Sequence, residues 1–161
     1  MHFIFSHGKE SGPYGSKIKA LMQVAEQKGH TVESIDYTHT SNPDERVLHL
    51  QKEAVTPDTV LVGSSMGGYV SAVVADQQPV RGVFLLAPAI GMPGYEYQSF
   101  EGLNTLVRVV HGINDNVIPY QHSVEFASAQ KADLFLLDSD HRLNSALPLL
   151  VELFASFIDK L

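Results

Sequence analysis

The chain has 161 residues, a net charge of −7 and no cysteine. This length suits one domain, which we expect to span residues 1–161. Neither a nucleic acid nor an anionic membrane is an expected partner, because both require a basic surface and the chain has no Lys/Arg run. The lack of cysteine excludes disulfides, thiolate nucleophiles and cysteine-bound metals within these residues. No signal-type segment or membrane-length apolar run is found, so we expect a cytoplasmic protein.

Apolar runs alternate along the chain with segments of helical periodicity. In chain order, the pattern predicts a strand at 2–5, a helix at 16–29, a strand at 31–37, a helix at 44–54, a strand at 59–63, a helix at 66–77, strands at 80–88 and 105–112, a helix at 120–131, a strand at 133–138 and a helix at 145–160. The strands are nearly continuous runs of Val, Leu, Ile and Phe, which is typical of a sheet covered by helices on both faces. We therefore predict a three-layer α/β fold with a mostly parallel sheet of about six strands.

Ligands of such sheets bind at the carboxyl ends of the strands, and a serine stands at one of these positions. The stretch GSSMG (63–67) matches Gly-x-Ser-x-Gly with Ser65 at its centre. A sharp turn from strand to helix needs small neighbours and points the serine hydroxyl above the sheet, at a helix N-terminus. This predicts Ser65 as a nucleophile; the alternative is a helix-capping serine after a tight turn.

A carboxylate follows the fifth predicted strand, in the stretch VVHGINDNVIP (109–119). Asp115 could hold an imidazole in the required tautomer and stabilise its charged form. Its alternative role is that of a turn or capping residue. His111 ends the strand, and we assign it a structural role in shaping this loop.

A histidine follows the sixth predicted strand, in the stretch LLDSDHRLN (136–144). His141 lies in a loop from which an imidazole can reach a serine across the sheet, and we take it as the general base. A plain surface histidine is the alternative. Asp138 and Asp140 are rival acids, although a residue next to a histidine in sequence usually cannot reach behind its ring.

The glycine-rich segment FSHGKESGPYGSK (5–17) follows the first predicted strand. Its loop could direct the backbone amide of Lys9 at an oxyanion, with the amide of Met66 as a second donor, and each such donor stabilises a transition state by about 3–4 kcal/mol. His7 would brace the loop. A phosphate-binding loop is the alternative, but the Gly-Lys-Ser/Thr ending of a P-loop is missing.

Taken together, the stretches SHGKESG, GSSMGGY, HGINDNVIP and DHRL resemble the oxyanion loop, nucleophile elbow, acid loop and histidine loop of the α/β-hydrolase superfamily. The chain order serine, aspartate, histidine is the order of that superfamily. More narrowly, the chain is similar to small bacterial esterase-like hydrolases of the YqiA type. The resemblance implies cofactor-free hydrolysis of esters, thioesters or amides, with Ser65 as nucleophile, His141 as base and Asp115 as orienting acid.

Measured against the superfamily, the chain starts at the third strand, so we expect a compact sheet without the first two strands and no large cap. The irregular segment 89–104 could act as a small lid. Its aromatic residues Tyr95, Tyr97 and Phe100 are candidates for lining an open pocket, or could merely pack the loop. An open pocket favours small or short-chain acyl esters or thioesters as substrates.

Two other functions remain open at the level of sequence. A hydrolase-like fold could serve only as a protein-interaction module, with weak or no catalysis. A metal-dependent hydrolase could use His7, His111, Asp115 and His141, although no His-x-x-x-His pair is present. The sequence does not indicate an oligomeric state.

Overall fold

The computed structural model describes residues 1–161, in which strands and helices alternate along the chain. The elements are β1 (His2–Ser6), α1 (Ser16–Gln27), β2 (Thr31–Ile35), α2 (Pro43–Leu50), β3 (Thr59–Ser64), α3 (Met66–Gln77), β4 (Gly82–Leu86), β5 (Leu106–Gly112), α4 (Tyr120–Gln130), β6 (Asp133–Leu137), a 3-10 turn (Asn144–Ala146) and α5 (Leu147–Ile158). Each predicted strand and helix is present. The largest differences are in length, since β4 is shorter than the predicted 80–88 and α2 ends at Leu50 rather than at residue 54.

The six strands form one sheet in the order β2-β1-β3-β4-β5-β6, and every neighbouring pair is parallel. The predicted parallel sheet of about six strands is therefore confirmed. Because all strands run in one direction, the loops that follow β1, β3, β5 and β6 meet at one rim of the sheet. The three loops and the elbow singled out in the sequence all lie at this rim.

Helices cover both faces of the sheet and create two hydrophobic cores. One core has 22 buried residues and contains side chains of α2, α3 and α4, whereas the other has 17 and contains side chains of α1 and α5. Successive strand residues alternate between them: Leu61 belongs to the first, and Val60 and Val62 belong to the second. This alternation is the period of two expected for a strand with helices on both sides. No helix combines the length and apolarity required to cross a membrane.

Candidate active site

Ser65 lies at the turn between β3 and α3 and has an uncommon backbone conformation. Its φ is 55° and its ψ is −119°. The turn is held on both sides, because the Ser65 amide donates to Leu86 O at 2.9 Å and the Ser65 carbonyl accepts from the Ala89 amide at 2.9 Å. A non-glycine residue with positive φ is strained, and such strain is typical of functional turns.

Three glycines around Ser65 allow backbones to approach closely. A Cβ atom at Gly63 would lie 2.2 Å from Gly67 O, and one at Gly67 would lie 2.0 Å from Ser6 O. A Cβ atom at Gly68 would lie 2.7 Å from Pro88 Cβ. The glycines of the GSSMGG stretch are thus explained by close packing of the elbow against neighbouring backbone and against Pro88.

The side chains of Ser65, His141 and Asp115 form a continuous chain of hydrogen bonds. His141 Nε2 lies 3.0 Å from Ser65 Oγ, and His141 Nδ1 lies 2.6 Å from Asp115 Oδ2. An ionised carboxylate only accepts, so Nδ1 carries the proton and Nε2 is free to accept from the serine hydroxyl. The Asp115 side chain is fully buried, whereas that of His141 is 19% exposed.

Asp115 is held by backbone amides as well as by the imidazole. Its Oδ1 atom accepts from the amides of Val117 and Ile118, both at 2.8 Å. Burial by itself would raise the pKa of Asp115, but these amides and His141 outweigh it and keep the pKa below its usual value. The residue is therefore a fixed negative charge behind the imidazole.

His111 also contacts Asp115, a bond that the sequence analysis missed. Its Nε2 atom lies 3.0 Å from Asp115 Oδ2 and 3.1 Å from Ile118 O, and its Nδ1 atom lies 2.7 Å from Ser123 Oγ. Since both groups at Nε2 are acceptors, Nε2 carries the proton and Nδ1 accepts from the Ser123 hydroxyl. Burial lowers the pKa of His111. A histidine in an apolar strand four residues before the acid was the signal available in the sequence.

The acid loop and the histidine loop touch at Gly112. A Cβ atom there would lie 2.3 Å from Ser139 O, so only glycine permits the approach. The Asn114 amide donates to Ser139 O at 3.1 Å, and Asn114 Nδ2 donates to Asp138 Oδ1 at 2.7 Å. These contacts fix the distance between the loops that carry Asp115 and His141.

Neither rival carboxylate takes the place of Asp115. Asp138 accepts from Asn114, and Asp140 Oδ1 accepts from the amides of Arg142 and Leu143 at 3.0 and 3.2 Å. No hydrogen bond joins either of them to the imidazole of His141.

The loop after β1, which starts at His7, is held from beneath by two buried side chains. His7 Nδ1 donates to Gly8 O at 2.7 Å, while His7 Nε2 accepts from the Tyr37 amide at 3.0 Å. Arg46 Nη1 donates to both His7 O and Gly8 O at 3.2 Å. His7 and Arg46 are 0% and 1% exposed, respectively. The bracing role expected of His7 is present, and Arg46 is a second brace that the sequence did not reveal.

The candidate oxyanion donors lie on either side of Ser65. A Cβ atom at Gly8 would lie 3.4 Å from Ser65 Cβ, which brings the backbone before Lys9 next to the hydroxyl-bearing residue. The Lys9 amide makes no hydrogen bond within the protein. Met66 is the first residue of α3, where amides have no partner inside the helix. Both amides are thus available to a ligand.

A cavity of about 750 Å³ opens beside Ser65 and His141. Of the three aromatic candidates, Tyr95 lines it, whereas Tyr97 and Phe100 do not. These two side chains pack against the hydrophobic core, and the ring of Phe100 lies 5.2 Å from that of Phe126. They are apolar enough to be drawn into the core beneath the segment, so only part of the segment shades the cavity.

Segment 89–104 is tied to the helices below it. Asp76 accepts from the amides of Glu101 and Gly102 at 3.1 and 3.0 Å. Asp44 accepts from the Glu96 amide at 3.3 Å. Two side chains of α2 and α3 therefore fix the segment along its length.

The residues of the metal-based alternative are engaged with other protein groups. Both ring nitrogens of His7, His111 and His141 make hydrogen bonds, and so do both oxygens of Asp115. No group of three or more His, Asp or Glu side chains is arranged to hold a metal ion.

Residues 2–102 match the uncharacterised protein family UPF0227. A protein from Xanthomonas campestris pv. campestris, provisionally described as a hydrolase of the alpha/beta superfamily, is 31% identical, with a TM-score of 0.88 over 99% of both chains. Palmitoyl-protein thioesterase ABHD10, mitochondrial, from Bos taurus is 24% identical over 223 residues, which cover 98% of this chain and 73% of that protein.

The structure of Est1E from Butyrivibrio proteoclasticus is similar in fold, with a TM-score of 0.78 and 18% identity over 99% of this chain and 87% of that one. The chain belongs to the uncharacterised protein family UPF0227 and has the α/β-hydrolase fold.

Proposed function

We propose that the protein is a serine hydrolase that cleaves carboxylic esters or thioesters with small acyl groups through an acyl-enzyme. The observation that carries the proposal is the hydrogen-bonded chain Ser65–His141–Asp115 at the edge of an open cavity. The name of the bovine relative, a thioesterase, supports the same reaction class.

In the first step, Ser65 Oγ attacks the carbonyl carbon of the substrate while His141 Nε2 takes the hydroxyl proton. The imidazolium that forms is stabilised by Asp115, whose depressed pKa keeps it ionised. The amides of Lys9 and Met66 donate to the oxyanion of the tetrahedral intermediate. Because these donors are backbone groups, they need no reorganisation as charge develops.

In the second step, the intermediate collapses and His141 gives its proton to the departing alcohol or thiol. The acyl group then remains on Ser65 Oγ. A water molecule, deprotonated by His141, attacks this acyl-enzyme, and the same proton returns to Ser65 as the carboxylic acid leaves. One ester and one water are consumed, and one acid and one alcohol or thiol are produced.

The test is a pair of measurements on the full chain: labelling by a fluorophosphonate probe, and turnover of a series of p-nitrophenyl esters of increasing acyl length. We expect labelling at Ser65, and we expect Ser65→Ala to abolish labelling and lower kcat by about 10⁴-fold or more. Ser64→Ala is the matched control. The Ser64 hydroxyl has no bond to an imidazole, so this variant should still be labelled.

Thermal unfolding of each variant verifies that the fold is kept. A wild-type protein that is neither labelled nor active would contradict the proposal and favour the alternative of a protein-interaction module. Normal turnover by Ser65→Ala would show that another group is the nucleophile.

A further inference from the structure

The cavity beside Ser65 differs in charge from the molecule as a whole. The chain carries a net charge of −7. The cavity, in contrast, is lined by the three cationic side chains Lys9, Lys17 and Arg142 and by one carboxylate, Glu10. The excess of positive charge is therefore confined to the cavity of an otherwise acidic protein. It attracts anions to the place where the reacting carbonyl would lie.

Lys17 is the most buried of these three cations. It is partly buried, and it makes no hydrogen bond or ion pair, whereas Lys28 pairs with Asp159 at 2.6 Å. Burial lowers the pKa of Lys17 to about 8, so the amine is still mostly protonated at neutral pH. A partly buried ammonium without a partner is unfavourable, and an incoming anion would relieve this.

The nearby carboxylates do not serve as partners for Lys17. Asp140 and Asp115 are close enough for their charges to oppose the lowering of the Lys17 pKa. Asp140 Oδ1, however, accepts from two backbone amides. Asp115 is bound on both oxygens, by two amides of its own loop and by the imidazoles of His111 and His141. Neither makes a hydrogen bond with the ammonium, which leaves its donors free.

The surroundings of Lys17 favour an anion as well. Gly15 and Ser16, at the start of α1, line the cavity beside it, and the first turn of this helix contains no acidic residue. The positive end of the helix dipole is therefore not neutralised by the chain. Arg142 lies in the loop of His141, also on the lining, and has no ion-pair partner. Its planar guanidinium suits a carboxylate or phosphate.

We propose that Lys17 and Arg142 bind an anionic group of the substrate, so that the preferred substrates are acyl esters or thioesters carrying a carboxylate or phosphate. This rests on the proposed function and deepens it, since it names the class of substrate. The anionic group would bind in the cavity that contains Ser65, between the start of α1 and the loop of His141. Lys9, which is exposed at the mouth, adds to the attraction.

The experiment compares matched esters on the full-length enzyme. The first pair is the mono-p-nitrophenyl ester of adipic acid and the same compound with its free carboxylate methylated, which differ in the charge of the acyl part and by one methyl group. The second pair carries the charge on the leaving group: 4-carboxyphenyl hexanoate and its methyl ester. A terminal phosphonate in place of the adipate carboxylate separates the two kinds of anion.

We expect kcat/KM to be about ten- to a hundredfold higher for the charged member of at least one pair, mainly through KM, as one or two hydrogen bonds to a charged group would give. Lys17→Met should remove most of this preference, and Lys17→Arg should restore part of it. Lys19→Met is the matched control, because Lys19 is exposed on the same helix and does not line the cavity. It should keep the full preference.

A second readout does not depend on turnover. Calorimetric titration of Ser65→Ala with the monoethyl and diethyl esters of adipic acid should show tighter binding of the charged compound, and Lys17→Met in that background should abolish the difference. Equal kcat/KM or a preference for the neutral members in both pairs, with Ser65 still labelled, would overturn the inference and leave the proposed function standing. Loss of labelling and of all turnover would instead reject the proposed function, and the titration would still decide whether an anion binds.

Discussion

Two histidines of the candidate active site invite comparison, because both are fully buried, both are followed by glycine and each supports a different loop. His7 supports the oxyanion loop after β1, and His111 supports the acid loop after β5. Their tautomers are opposite. His7 donates from Nδ1 and accepts at Nε2, whereas His111 donates from Nε2 and accepts at Nδ1.

The difference lies in what each acceptor nitrogen faces. Nε2 of His7 faces the Tyr37 amide, which can only donate, so a second proton on the ring would break this bond. Nδ1 of His111 faces the Ser123 hydroxyl, which can rotate and accept, and its other side faces the Asp115 carboxylate. Protonation of the ring would therefore break a hydrogen bond in the oxyanion loop but not in the acid loop.

Asp115→Asn should disrupt the hydrogen bonds that join the acid loop to His111 and His141. We expect it to have the largest effect of the changes that test this comparison. The amides of Val117 and Ile118 would hold the Asn oxygen, so its NH₂ group would face the N–H groups of His111 and His141. His141 would then have to adopt the other tautomer, with a proton on Nε2 and no ability to accept from Ser65. We expect kcat/KM to fall by about 10⁴-fold, as for loss of the orienting acid in other triads.

Steady-state kinetics with a p-nitrophenyl ester measures this effect. Asp138→Asn is the control, because Asp138 is exposed and bonds only Asn114. It should retain most of the wild-type kcat. An Asp115→Asn variant with nearly full activity would mean that the tautomer of His141 is set by something other than this carboxylate.

Arg46→Met should act on the other loop and have an intermediate effect. It removes a donor from His7 O and Gly8 O while keeping an apolar stem of similar length. The Lys9 amide would then be free to turn away from the oxyanion. Complete loss of one oxyanion donor lowers kcat by about 10²–10³-fold, and we expect a smaller loss, of about 10- to 10²-fold, because the loop is still held by His7.

The expected change is in kcat rather than in KM, and fluorophosphonate labelling of Ser65 should persist at a reduced rate. Arg81→Met, at an exposed position away from the rim, is the control for loss of one positive charge. If both variants lost activity equally, or if the loss for Arg46→Met lay wholly in KM, Arg46 would not act through the oxyanion loop.

The two loops also show which contacts can be predicted from the sequence and which cannot. The elements and their order could be predicted because strand and helix periods and the glycines of the elbow are local signals. The hydrogen bond from His111 to Asp115 spans four residues and was within reach of sequence reasoning. The contact of Arg46 with Gly8 spans 38 residues and joins α2 to the loop after β1, a tertiary contact that no local pattern encodes.

The same limit explains the outcome for the aromatic residues of segment 89–104. Tyr95, Tyr97 and Phe100 look equivalent in the sequence, but only the first lines the cavity. The backbone of the segment is held by Asp44 and Asp76, contacts that the residues of the segment itself do not reveal. Those two residues belong to α2 and α3 and are far away along the chain.

His7→Gln gives the smallest expected effect and tests the tautomer argument directly. Burial lowers the pKa of His7 more than its bond to Gly8 O raises it, so the folded state favours the neutral ring. The unfolded chain binds a proton near the ordinary histidine value, about pH 6.5. The contribution of His7 to stability is therefore complete above that pH and is lost progressively as the pH falls below it.

Glutamine can keep one of the two bonds and does not titrate. At pH 7.5 we expect His7→Gln to lower the free energy of unfolding by about 1 kcal/mol, the usual net value of one hydrogen bond. Urea titrations at pH 7.5 and pH 5 should then show a smaller loss of stability on acidification for His7→Gln than for the wild type. His39→Gln, at an exposed position, should follow the wild type. Equal acid sensitivity of His7→Gln and the wild type would mean that the bond from the Tyr37 amide does not oppose protonation of the ring, and the contrast with His111 would then have no consequence for pH dependence.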